Sequence, residues 1–199
     1  VYFFRFKIIG PGHGNDVETI MVKLCQNLSG YDDETEKVRT YSIDEIKTKP
    51  TSRTVDDTIF EKQFSDASIK KTAYVKYILK EIEQVLAGSR TEELETNDKL
   101  TVEHVLPKSF KNWQSFFDEK KITNPETLVY RLGNLTILTK KMNSTIRDSV
   151  FDIKKTKAFD ESHLELNKQT ICGKSEWTDK IIYDRQENFA KIALKIWKF

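Results

Sequence analysis

Cysteine is nearly missing: the 199-residue chain has only Cys25 and Cys172, far apart and in no Cys-x-x-Cys pair. That excludes a disulfide framework and gives no sign of a structural zinc site, so a reducing, cytoplasmic setting is expected. No apolar run approaches the roughly 18–20 residues needed to cross a bilayer, and Val1–Ile9 is short and broken by Arg5 and Lys7. The opening also lacks a signal peptide's order of regions. No membrane partner is therefore expected. With no initiator Met, the chain reads as a piece of a longer protein whose N-terminal part is missing.

A strong net charge is also missing. Thirty-three Lys and Arg face thirty-one Asp and Glu, for a formal charge of +2, so the chain as a whole is no polycation. Proline and glycine are sparse, at 4 and 7 residues, while 12 Phe, 7 Tyr and 3 Trp supply bulk for a packed core. The charge is unevenly divided. Residues 1–100 hold fifteen basic and eighteen acidic side chains, and residues 101–199 hold eighteen and thirteen. A local basic face remains open, although a charge run is commonly only a solvated helix face.

Periodicity predicts a helix from Asn15 or Asp16 to Leu28, an acidic loop over 31–36, a short helix over 42–47 and another over 54–64. An amphipathic helix over 71–86, with Tyr74, Tyr77, Ile78, Ile82, Val85 and Leu86 on one stripe, ends at Gly88. The polar stretch 88–99 is the expected boundary between a mainly helical region, 1–99, and a second domain, 100–199. In that second part a strand over 100–106 is cut by Pro107, and a helix is expected over 109–119. A Gly133-Asn134 turn leads into a β-branched strand through Leu138, followed by helices over 140–147, 150–159 and 175–197. The resulting class is α+β and predominantly helical. Trp113, Trp177 and Trp197 read as core side chains, and His163 as a surface residue.

The chemistry concentrates in Glu103-His104 on the first strand, Asn134 at the turn into the second, and Asn143 in the helix after it. Strand, strand, helix is the order of a ββα-metal unit. Phosphodiester hydrolysis needs a base for water, which an imidazole near its ordinary pKa of ~6.5 can supply. It also needs an electrophile for the phosphate and the leaving oxygen, which a hard cation on carboxylate and amide oxygens can supply. The alternative for Asn143 is a helix N-cap. For the basic residues of 140–157 it is solvated surface.

Glu103-His104-Val105-Leu106-Pro107, Trp113, Leu132-Gly133-Asn134-Leu135-Thr136-Ile137-Leu138, Asn143, and Phe151 with Lys154-Lys155 together resemble the HNH endonucleases. The closer likeness is to the C-terminal nuclease domain of GmrSD-type modification-dependent restriction enzymes. The resemblance implies a predominantly helical domain enclosing a ββα-metal motif, with His104 as general base and Glu103 and Asn143 holding Mg²⁺ or Mn²⁺. Asn134 would clamp the His-bearing loop, and Lys141, Lys154, Lys155 and Arg185 would contact DNA phosphates. Asp is commoner than Glu at the position of Glu103. The resemblance further implies DNA nicking in bacterial defence, an N-terminal sensor or NTPase domain in the same protein, and homo-oligomerisation where both strands are cut. An inactive DNA-binding or dimerisation module, or a nuclease acting on RNA, would carry the same motif.

Overall fold

A computed structural model describes residues 1, 4–10, 22, 26, 56–88 and 100–198. The helices expected over 15–28 and 42–47, the loop over 31–36 and most of the boundary at 88–99 lie outside the described residues. The chain divides into two compact units, Val1–Gln63 and Phe64–Lys198. In the first, a π-helical turn at Phe4–Ile9 sets Arg5 against the start of helix α1, Asp57–Asp66. There the Arg5 guanidinium pairs with Asp57 at 2.6 Å and lies 4.5 Å from the centre of the Phe60 ring. Asp56 caps α1 by accepting from the Ile59 amide at 2.8 Å.

The second unit is α+β and mostly helical around one small sheet. Strands β1, Leu100–His104, and β2, Leu135–Thr139, pair antiparallel in a register that sets Glu103 opposite Thr136 and His104 opposite Leu135. Gly133 and Asn134 form a tight 3₁₀ turn, Leu132–Asn134, rather than a hairpin loop, because the partner strand lies some thirty residues back. Leu135, Ile137 and Leu138 are all fully covered. Helix α2, Thr72–Ala87, packs across β2 and ends where Gly88 takes φ 61°, a conformation glycine adopts without strain. The compact unit thus begins at Phe64, not at residue 100: α2 belongs with the sheet.

Glu83 explains part of that attachment. Buried on α2, its carboxylate accepts the amides of Glu165 and Leu166 at 3.0 and 2.6 Å, tying α2 to the start of another short helix, Glu165–Asn167. Helix α3, Gln114–Lys120, starts five residues later than its aromatic spacing predicts, with Phe110 on the preceding turn. Helix α4, Lys140–Ile146, follows β2 directly, and a helical run from Phe151 to Phe159 comes next. The last helix, Asp179–Ile196, begins at the Thr178 cap. It lies so near the turn that a β-carbon on Gly133 would sit 1.9 Å from the Ile182 carbonyl oxygen.

Trp113, Phe117, Phe151, Phe159 and Trp177 make the aromatic centre of the core under this sheet. Phe151 stacks on Trp177 with centroids 5.4 Å apart. All three tryptophans are buried. His163 is exposed.

Candidate active site

β1 delivers Glu103 and His104 to one end of the sheet, and Pro107 stops the strand just beyond them. The loop between is clamped by Asn134. Its Nδ2 donates to the carbonyls of Leu106 and Val129 at 2.9 and 3.1 Å, and its Oδ1 accepts from the Leu106 amide at 2.8 Å and from Trp177 Nε1 at 3.0 Å. Asn134 is fully buried, and these four bonds use the full capacity of its amide.

His104 stands at the lip of this loop. Its ring meets Tyr130 edge-on, with centroids 5.6 Å apart. Its Nε2 is buried without a hydrogen-bond partner among the described residues. An unpaired buried nitrogen costs about 1–3 kcal/mol, and a native site that tolerates one calls for a reason. Burial first, then the charges of Lys108 and Lys154, pulls the imidazole pKa down from 6.5 to about 4, so the ring is neutral at physiological pH.

Asn143 sits inside α4, whose cap is the Thr139 hydroxyl accepting from the Met142 amide. The N-cap alternative for Asn143 is therefore overturned. Its Nδ2 donates twice, to Thr101 Oγ1 and the Val102 carbonyl, both at 3.1 Å. That leaves Oδ1 as an acceptor with no partner among the described residues. Glu103, His104 and Asn143 line one open pocket of ≈ 380 Å³ together with Lys108, Arg147 and Asp148.

Two of the sequence-predicted phosphate contacts are corrected by burial. Lys154 is 0% exposed, and its ammonium donates to Glu103 Oε1 at 2.6 Å and to the His104 carbonyl at 2.7 Å. It is an internal cation that fixes the Glu-His strand end from behind. Burial raises the Glu103 pKa, and Lys154 opposes that rise. Arg185 is buried too, donating through Nη1 to the carbonyls of Gly133 and Leu135 and through Nε to Thr170. Burial alone lowers its pKa to about 9, which still leaves it a cation at neutral pH. Lys155 is half-buried and donates to the Lys174 carbonyl, whereas Lys141 is exposed on α4. Neither lines the pocket.

The donor set fits a hard, hydrated cation. Glu103 keeps one carboxylate oxygen clear of Lys154, Asn143 keeps Oδ1, and the pocket is roomy enough for retained water. No group of three His, Cys, Asp or Glu placed to hold a metal occurs among the described residues.

Sequence reasoning missed Lys108, Arg147, Asp148 and Tyr130. The first three sit beside Pro107 or just after α4, where chain proximity to the motif was the only available signal. Tyr130 reaches His104 through tertiary packing that no spacing rule encodes.

A neutral histidine on a clamped loop, facing a polar pocket with a free amide oxygen and a carboxylate, is the equipment of a hydrolase. A family model described as the C-terminal domain of GmrSD restriction endonucleases matches residues 54–192, and the chain belongs to that family. It is thus a restriction-endonuclease nuclease domain, and the substrate this implies is DNA. The match starts ahead of α1, in keeping with a structural unit that takes in α2. A comparison with curated proteins finds no match. No described helix is long and apolar enough to cross a membrane.

Proposed function

We propose that this domain hydrolyses DNA phosphodiesters as an HNH-type nuclease, with β1, β2 and α4 as its ββα-metal unit. The observation that carries the reading is the contrast within the motif. Asn134 spends all four hydrogen bonds holding the loop, while His104, on that loop, is neutral and unpaired at Nε2.

In this mechanism a ring nitrogen of His104 accepts a proton from water as the water oxygen attacks phosphorus in line. A P–O bond forms, the P–O3′ bond breaks, and the 3′ oxygen leaves with a proton from solvent. Glu103 and Asn143 would hold Mg²⁺ or Mn²⁺, which supplies charge neutralisation at the phosphate and the leaving oxygen. Lys154 keeps Glu103 ionised and aimed, and Asn134 keeps the imidazole from rotating away with its loop. One such site cuts one strand, so the product is a nick. In the bacterial cytoplasm a sensor or NTPase domain of the same protein would choose the DNA, and paired copies would be needed to cut both strands.

Supercoiled plasmid incubated with the purified chain and Mg²⁺ or Mn²⁺ is expected to relax to the open circle, and EDTA to stop it. His104→Ala is expected to fold, by far-UV circular dichroism, and to leave the plasmid supercoiled. A folded His104→Ala protein that nicks like wild type would overturn the reading, and cleavage confined to RNA would redirect it.

A further inference from the structure

Three exposed cations have no carboxylate partner among the described residues: Lys108 and Arg147, which line the His104 pocket, and Lys70, which lies against the Tyr130 ring beside it. We propose that they form a phosphate-binding rim, organised by Tyr130, whose ligand is the sugar-phosphate backbone of the strand being cut. This rests on the nuclease reading above and replaces the contacts expected of Lys154 and Arg185.

Lys70 and Lys108 each place their ammonium 5.5 Å from the centre of the Tyr130 ring, the same ring that meets His104 edge-on. A ring face attracts a cation, so Tyr130 holds two flexible lysines close to where a scissile phosphate would lie. Two like charges on one ring repel each other, and an incoming anion relieves that repulsion. Of the carboxylates nearby, Glu103 has its charge offset by the Lys154 ammonium at 2.6 Å, and Asp148 accepts from Asn112 Nδ2 at 3.3 Å.

Lys70 reaches the site from a remote part of the chain. The bridge between Ser68 and Arg131, and the Ile69 amide donating to the Tyr130 carbonyl at 2.9 Å, lay the segment before α2 along residues 130–131. The same segment brings Thr72 to the pocket wall.

Arg147 adds an independent observation. It closes α4 with φ 41° and ψ −120°, in a region that suits glycine and strains any other residue. Strain of this kind persists where the side chain is needed, and here the side chain lines the pocket. Its Nε donates to the Ser144 carbonyl at 3.3 Å, which leaves the fork nitrogens for a phosphate.

The test is fluorescence anisotropy of a fluorescein-labelled DNA duplex with the full 199-residue chain in EDTA, titrated at several KCl concentrations. Lys70→Ala, Lys108→Ala and Arg147→Gly are each expected to weaken binding about 3- to 10-fold and to reduce the salt slope by about one. Arg147→Gly should do so with an unchanged or higher Tm, which a merely structural arginine would not allow. Tyr130→Leu should weaken binding with no change in net charge, and Tyr130→Phe should restore it.

Wild-type affinity and slope in Arg147→Gly and in the Lys70→Ala/Lys108→Ala double variant would overturn the rim. So would absence of binding by the wild type, or an equal loss in Lys141→Ala or Lys155→Ala. Plasmid nicking run in parallel separates the two claims. Nicking by wild type with a silent rim removes the rim alone, whereas rim-dependent binding without nicking supports the rim and removes the nuclease reading.

Discussion

Behind the β1–Pro107 loop, Asn134 and Lys154 are buried and spend their polar groups on named protein partners. In front of it, His104 Nε2, Asn143 Oδ1 and the charged ends of Lys108 and Arg147 are left over. Both faces use amides and cations. They differ in whether those groups have been satisfied. A satisfied buried group specifies one backbone geometry, and an unsatisfied one beside it is held ready for a ligand. Substitutions behind the loop should therefore be read in stability, and substitutions in front of it in activity.

Asn134→Ala would strain this contrast most. It strips partners from both polar groups of Leu106, the Val129 carbonyl and Trp177 Nε1, each costing about 1–3 kcal/mol when buried and unpaired. The sum rivals the whole stability of an ordinary domain, about 5–15 kcal/mol, so the variant should be largely unfolded. Urea denaturation checks it. A wild-type midpoint would mean that the clamp carries no structural load.

Lys154→Met comes next. Removing one partner of a buried ion pair leaves Glu103 uncompensated, at a cost of about 3–5 kcal/mol. Replacing both, as Glu103→Leu/Lys154→Met, should recover most of that stability while nicking stays lost. Were Lys154 a phosphate contact, the single variant would keep its stability and lose DNA affinity instead.

What the sequence made legible is local. β1, the stop at Pro107, the Leu132-Gly133-Asn134 turn and α4 all depend on neighbours within a few residues, and each lies within a residue or two of its expected place. His104 and Asn143 follow because those elements carry them. Lys154 was misread because a lysine in a basic run is ordinarily solvated, and only the fold shows a carboxylate 51 residues away waiting for it. Arg185 was misread for the same reason: its acceptors are backbone carbonyls bared where the 3₁₀ turn runs into β2. The expected boundary at 88–99 followed polar composition, but α2 has an apolar face and Glu83 to attach it to the nuclease unit.

In front of the loop, His104→Ala should cost nicking about 10²- to 10⁴-fold, the usual contribution of a general base. Its stability should stay within about 1 kcal/mol of wild type, because the substitution removes an unpaired buried nitrogen along with some packing. A large loss of stability would place His104 with the structural residues behind the loop.

The smallest effect is the pH dependence of folding. With its pKa lowered to about 4 in the native state, His104 takes up a proton in the unfolded chain at pH values where the folded chain does not. Between about 6.5 and about 4 the unfolded state thus binds more protons, and stability falls as pH falls. Glu83 and Glu103, whose pKa values are raised chiefly by burial, act in the opposite sense above their ordinary 4.5. The wild-type curve alone therefore blends the two signs. The difference between urea midpoints of wild type and His104→Ala isolates the imidazole, and it should move against wild type as the pH is lowered through that window. A difference that stays constant from pH 7 to 4.5 would mean that the imidazole titrates alike in both states, and that His104 is as well solvated in the pocket as in the open chain.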